Sequence, residues 1–359
     1  MRILPLVSVN DAPPGAVPAR VAAPSAAARQ RTASPAHFKT IELGQKRNFT
    51  LTALEIGLSS NCNFRCDYCC AYNFNDRKFM SAERVVAILE DAPDLQRVKL
   101  SGGEVLIYFD ECVAVVEYCA RRGLLTQINT NGTLLDEVKL QRLQDAGLGC
   151  LHVSYNYTRP EDFCAYYKQT PKVFDRIERT IRTAAASDID TVVESVIFRG
   201  TDGRLPEINH RLFELGVRKH EIQNGIPIRQ RDWADVLPPA RVQEVIADLI
   251  EARHPEVALY FSCIDIDPQS GFHARVLRYL TLGGVYFPSC IEGRNQLHVH
   301  SNGDVLICEL GHPVVIGNLN GGTMLNQLLT DQPPALVEFL ERRSTSACSC
   351  TIRTLEQPV

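Results

Sequence analysis

The sequence predicts an α/β chain: an open, partial (β/α)6 barrel of the TIM type, with a small C-terminal module of hairpin and helix. Three observations carry this. Strand-like runs alternate with amphipathic helical segments six times between residues 50 and 230. Alternation with helices of this length calls for parallel strands joined by right-handed crossovers, and six units fall short of a complete eight-stranded barrel. From Cys290 the chain changes character, to a turn-rich, cysteine-bearing segment.

The elements follow in order. Residues 52–60 read as the first strand, and 81–92 as a helix behind a Ser81 cap. Strand 97–103 precedes helix 109–123, which ends at Gly123; strand 124–132 precedes helix 135–147, which ends at Gly147. Strand 150–157 leads to helix 171–187, strand 190–198 to helix 205–216, and 217–228 forms the sixth strand. There the rhythm is expected to stop. A helix at 239–254 and a strand at 257–266 bridge to residues 295–310, a hairpin turning at "SNGD" because Asn-Gly favours a tight turn. A last helix lies near 334–343. The domains expected are a disordered Ala/Pro-rich tail (1–45), a core (46–230), a bridging region (231–285) and the C-terminal module (286–359).

A chain that is 45% hydrophobic with net charge −4 has an ordinary globular composition and no basic excess for broad nucleic-acid binding. No apolar run reaches the roughly 20 residues of a membrane span. Pro5, Asn10 and Asp11 break the only N-terminal apolar run, so a secretory signal is not expected and the chain reads as cytoplasmic. Thirteen cysteines, an odd number in a long chain, then read as metal ligands or redox groups rather than as disulfides.

Cys62, Cys66 and Cys69 share one short loop after the first strand, with spacing C-x3-C-x2-C. Zinc motifs usually pair two C-x2-C knuckles, and iron–sulfur clusters normally take four thiolates. A set of three leaves a metal position open for chemistry. Cys70 breaks the spacing and reads as a bystander. One βα unit later, "KLSGGEV" places Gly102, Gly103 and Glu104 after the second strand. The glycines let backbone approach a ligand closely, and Glu104 offers a carboxylate to an ammonium. A lone GGE would read as a turn with a solvated Glu.

Together "CNFRCDYC" and "SGGE" resemble the radical S-adenosylmethionine (SAM) superfamily, over roughly residues 50–230. Val105 stands where that family usually has Pro. The resemblance implies a 4Fe–4S cluster on Cys62, Cys66 and Cys69, with SAM bound at its open iron. Reductive cleavage of SAM then gives a 5′-deoxyadenosyl radical, which abstracts hydrogen from a substrate C–H bond. It also implies Tyr68 beside the adenine, and Gly102, Gly103 and Glu104 at the methionyl amino group. By strand position, Asn129, Ser154 and Glu194 are candidates for ribose or methionine contacts; strand-end caps are the alternative. A flavodoxin- or ferredoxin-type reductant is the implied partner.

The C-terminal segment 290–308 runs from Cys290 to Gly303-x4-Cys308 and resembles the SPASM/twitch extensions of the same family. That implies one auxiliary 4Fe–4S cluster on Cys290, Cys308, Cys348 and Cys350. The "CSC" of Cys348 and Cys350 departs from the usual C-x2-C, so one of the two is a doubtful ligand, and Cys263 stands in reserve. A structural zinc or inert thiols are the alternatives. Cys263 is also a candidate hydrogen donor to a substrate radical. Cys112 and Cys119 have helical core spacing, Cys150 begins a strand, and Cys164 lies on a polar connection. His298 and His300 share a strand face and are expected to be solvated or substrate-facing; Arg218, Arg229 and Arg231 form a rim that could meet an anion. The expected activity is oxidation, epimerisation or crosslinking of a peptide or small-molecule natural product. An iron–sulfur electron carrier or sensor is the contrasting class.

Overall fold

The computed structural model describes residues 41–43, 47–69, 78–225, 235–262, 264, 271–287, 295–308, 314–331 and 333–343. It begins with a hairpin, β1 (Ile41–Leu43) antiparallel to β2 (Arg47–Phe49), with Leu43 opposite Arg47. The tail boundary expected at residue 45 therefore falls between two paired strands.

The six expected βα units follow. They are β3 (Ala53–Gly57), α1 (Ala82–Glu90), β4 (Arg97–Ser101), α2 (Phe109–Arg122), β5 (Leu125–Thr130), α3 (Glu137–Ala146), β6 (Cys150–Ser154), α4 (Pro160–Tyr167), α5 (Pro171–Ala185), β7 (Asp190–Ile197), α6 (Leu205–Glu214) and β8 (Lys219–Asn224). Ser81 Oγ caps α1 through the Arg84 amide, and Asp136 caps α3 through the Lys139 amide at 2.8 Å. Helix α4 departs from the expected polar connection. Pro160 opens it, and its buried Phe163 and Tyr167 pack against Phe64 and Phe174.

The rhythm does not stop at residue 228. After α7 (Pro239–Ala252), β9 (Ala258–Ser262) joins β8 in parallel; after α8 (Gly271–Leu282), β10 (Val285–Tyr286) joins β9. At the other edge β11 (Gln296–His300) runs parallel to β3, with His298 opposite Glu55. It turns into β12 (Asp304–Leu306), which pairs with β13 (Val315–Asn318). The result is one open sheet, β10-β9-β8-β7-β6-β5-β4-β3-β11-β12-β13. The expected hairpin thus extends the barrel sheet instead of standing apart. Helices α9 (Leu325–Thr330) and α10 (Pro334–Arg343) complete the described chain, and Asp91 after α1 accepts the Asn326 amide of α9 at 2.6 Å.

Side chains alternate across each strand, and here the alternation separates two chemistries. Leu54, Ile56, Val98, Leu100, Ile128, Leu151, Val153, Val193 and Ile222 are buried, forming the apolar core shared with the helices. The opposite face carries Glu55, Lys99, Asn129, His152, Glu194, Glu221 and His298. A barrel interior is ordinarily packed with branched apolar residues. This one is polar, and it opens on a cavity.

Candidate active site

Strand β3 ends at Gly57 and releases the loop that carries Cys62, Cys66 and Cys69. All three thiols are half-buried and free of disulfides, and all line a single cavity of about 250 Å³. The Phe64 amide donates to Cys62 Sγ at 3.3 Å, and the Cys69 amide donates to the Cys66 carbonyl at 3.2 Å. Burial pushes the Cys62 thiol up to about 11. Burial pushes Cys66 higher, reinforced by Cys69 and Cys62 beside it. Crowded together and partly buried, Cys62 and Cys66 resist ionising alone; a metal centre supplies the missing positive charge. The donor set fits an iron–sulfur cluster with one iron left free of protein.

The glycine pair shows an unexpected constraint. Gly102 has φ +133°, and a Cβ there would lie 2.3 Å from the Ser59 carbonyl oxygen; a Cβ at Gly103 would lie 2.1 Å from the Asn61 carbonyl oxygen. The close approach is therefore to the cysteine loop. The Gly103 and Glu104 amides donate to the carbonyls of Ser59 and Asn61, each at 2.7 Å. Both glycines also line the cavity. Glu104 does not. Its carboxylate is buried and accepts from Thr130 Oγ1 (2.7 Å), the Asn131 amide (2.8 Å) and the Leu106 amide (3.1 Å). These contacts brace the 129–133 loop. That loop returns to the cysteines: Asn131 Nδ2 donates to Asn63 Oδ1 at 2.8 Å, and Asn63 Nδ2 donates to Thr133 Oγ1 at 2.7 Å.

Tyr68 lines the cavity, with its ring beside Tyr166 and Phe198 at centroid distances of 6.2 and 5.3 Å. Its hydroxyl shares a hydrogen bond with Tyr167 (2.9 Å) and accepts one from Asn156 (2.9 Å), so the ring is held rigidly. Asn129, Ser154 and Glu194 line the same cavity, as strand position led one to expect. Asn129 is already engaged there, because its Nδ2 donates to Glu194 at 3.2 Å.

Deeper in the barrel lies a network the sequence reading missed. His152 Nδ1 is 2.5 Å from Glu194 Oε1 and 3.4 Å from Glu221 Oε2, and Ser262 donates to Glu221. Lys99 pairs with Glu55 at 2.9 Å, and His298 stands 3.5 Å from the same carboxylate. Charged residues at alternate positions of "ALEIG", "RVKLS", "CLHVS" and "DTVVESVI" were the available signal. His298 and His300 are buried and line the cavity, so of the two expectations only the inward-facing one applies.

Other candidates fall elsewhere. Arg218 sits over the Phe213 ring at 4.5 Å, away from the cavity-lining residues. Cys112 and Cys119 are core residues of α2, and Cys164 is half-buried on α4. Cys308 is buried just past β12. Cys70, Arg229, Arg231, Cys263, Cys290, Cys348 and Cys350 lie outside the described residues. No described helix is long and apolar enough to cross a membrane.

The barrel thus carries a tricysteine loop at the C-terminal end of β3, held down by the Gly102-Gly103-Glu104 strap. Residues 56–211 match the family model of the radical SAM superfamily. A 4Fe–4S cluster and SAM are the cofactors this match implies. The chain is 22% identical over 335 residues to the putative protein YfkA of Bacillus subtilis, covering 86% of each. It is 33% identical over 157 residues to a probable GTP 3′,8-cyclase of Methanothermobacter marburgensis, covering 42% of this chain and 50% of that one. Among solved structures it resembles Streptococcus suis SuiB bound to its precursor peptide SuiA, with TM-score 0.62 and 18% identity, covering 85% of this chain and 71% of that one. It also resembles anSMEcpe with bound AdoMet, with TM-score 0.58 and 17% identity, covering 80% and 82%.

Proposed function

We propose that this protein is a radical SAM enzyme that modifies a peptide at an unactivated C–H bond, by oxidation, epimerisation or crosslinking. The observation that carries this is one cavity lined both by Cys62, Cys66 and Cys69 and by Asn129, Ser154 and Glu194. When bound, the cluster and SAM supply a 5′-deoxyadenosyl radical able to remove hydrogen from carbon. The chain's own part is to place the thiols, through the Asn63–Asn131 and Gly103–Ser59 contacts, and to hold the substrate facing them. Peptide-bound neighbours of the same fold support the peptide reading. A small-molecule substrate is the second reading, favoured by the match to GTP cyclases, whose length the chain covers by about half.

An auxiliary 4Fe–4S cluster on Cys290, Cys308, Cys348 and Cys350 belongs to the same proposal. Cys308 supports it, since it follows the hairpin strand β12 and is buried beside the barrel edge. A structural zinc is the rival. The test is anaerobic reconstitution followed by SAM and dithionite. 5′-Deoxyadenosine above background is expected, and none would remove the enzyme reading. Iron and sulfide near about eight per chain support two clusters, whereas about four remove the auxiliary one.

A further inference from the structure

We infer that Gly57 leaves a slot between Ser101 and His300 in the barrel wall, and that this slot takes an uncharged amide group of the substrate. The inference rests on the functional reading above and names the kind of group its cavity holds.

Parallel register sets three residues in a row. His300, Gly57 and Ser101 stand level on β11, β3 and β4. All three line the cavity that the cysteines line. Adjacent strands lie about 4.8 Å apart, so the backbones of His300 and Ser101 are separated by roughly 10 Å with no side chain between them. The row adjoins the cysteine loop, because the Leu58 amide donates to the Ser101 carbonyl at 3.1 Å and the Gly103 amide donates to the Ser59 carbonyl.

A glycine in a paired strand weakens it, and its usual reasons are a bulge, a special backbone angle, or the close approach of another backbone or of a ligand. Gly57 has none of the first three. It pairs in unbroken register with both neighbouring strands. Its backbone is that of a strand, outside the left-handed region. A Cβ there would find the Val299 carbonyl oxygen at 3.8 Å, His300 Cα at 3.9 Å and Gly102 Cα at 4.0 Å, which are ordinary contacts. The protein's own packing thus has room for a side chain, and the space left open belongs to the cavity.

Ser101 supplies a second, independent observation at the same place. It is buried, and its Oγ has no hydrogen-bond partner among the described residues. An unpartnered buried hydroxyl at a cavity wall calls for a polar ligand. The row beneath decides which kind. His298, Glu55 and Lys99 precede the three residues by two positions and share their face. Lys99 pairs with Glu55 at 2.9 Å, and His298 stands 3.5 Å from the same carboxylate. A charged group entering the slot would lose its water above charges that already oppose one another, whereas a neutral amide costs far less to desolvate. A peptide amide is also planar, and it offers one donor and one acceptor to a hydroxyl that can take or give a hydrogen bond.

The test uses the reconstituted full chain with saturating SAM, titrated with N-acetylglycine N-methylamide and followed by ligand-observed NMR. N-acetylglycine, a carboxylate, and glycine N-methylamide, an ammonium, are the charged comparisons. The neutral compound is expected to bind saturably in the millimolar range, and each charged one at least about fivefold more weakly. Gly57→Ala fills the slot. It is expected to weaken the neutral compound roughly tenfold while the unfolding midpoint holds or rises, since the new Cβ meets no clash and the unfolded chain loses freedom. Ser101→Ala is expected to weaken it about three- to tenfold through the lost hydrogen bond. No saturable binding, equal binding of a charged compound, indifference to either substitution, or a lowered midpoint in Gly57→Ala would each overturn the inference. A parallel loss of SAM affinity in the two variants would give the slot to SAM and overturn it as well. Absence of 5′-deoxyadenosine in the separate assay would count against the enzyme reading and leave this binding result standing.

Discussion

His152 Nδ1 lies 2.5 Å from Glu194 Oε1, inside a parallel barrel where neighbouring strands would ordinarily meet through aliphatic side chains. Burial works against the charged ring, yet Cys150 and Glu194 beside it raise the His152 pKa well above its ordinary value. Burial likewise opposes ionisation of Glu194, and the His152 charge and hydrogen bond overcome it, holding the carboxyl low.

This pair gives a stability window with two edges. The raised imidazole contributes fully below about pH 6.5 and loses its contribution as pH rises through its folded value; the lowered carboxyl contributes above about pH 4.5 and loses it on acidification. The pair is therefore at full strength between those two values. His152→Gln leaves a buried carboxylate without its cation and is expected to cost about 3–5 kcal/mol near pH 6, less at either extreme. Denaturant unfolding of both proteins across pH checks this; a constant difference would refute the window.

His220 tests the opposite sign. It is fully buried on the helix-facing side of β8, where Asn209 Nδ2 (3.3 Å) and Ser195 Oγ (2.9 Å) hold the ring. Burial alone pulls its pKa down to about 3. Below about pH 6.5 the unfolded chain takes up a proton that the folded chain refuses, so stability falls by about 1.4 kcal/mol per pH unit on acidification. His220→Gln is expected to remove that slope from the pH dependence of the unfolding midpoint, after a uniform loss from the altered hydrogen bonds.

Gly103→Ala is expected to disturb the cysteine loop before any cofactor is considered. Its Cβ would meet the Asn61 carbonyl oxygen at 2.1 Å, and backbone must shift to relieve that contact. Iron per chain after reconstitution should fall by about half or more while the unfolding midpoint moves by only about 1–3 kcal/mol equivalent. Full iron content in the variant would show that the loop tolerates the shift.

The cysteine spacing gives a sharper pair of variants. Cys69→Ala is expected to lose both the cluster absorbance and 5′-deoxyadenosine formation, because a three-thiolate set has no spare ligand. Cys70→Ala, outside the spacing, is expected to keep both. Equal loss in the two variants would mean that the ligand assignment is wrong.

How much of this was legible beforehand differs from residue to residue. The six βα units were readable because each hydrophobic period is local, and because Ser81 announces its helix through a hydrogen bond made within three residues. Helix α4 was missed because its short apolar stripe, Phe163 and Tyr167, becomes intelligible only against Phe64 from the cysteine loop. The surroundings of Glu104 were not legible for a related reason. Its three donors come from residues 106, 130 and 131, and two of those reach it only once β5 lies beside β4.

The sequence by itself determined the thiol set of Cys62, Cys66 and Cys69, the Gly-Gly-Glu strap and the order of the six central strands, since motif spacing and hydrophobic period are properties of neighbouring residues. Only the tertiary structure decided that β11 joins β3, so that His298 meets Glu55, and that His152, Glu194 and Glu221 share one floor. Those residues are separated by 42 and 27 positions along the chain, and no local pattern links them. Parallel register brings them together, and burial then sets their charges against one another.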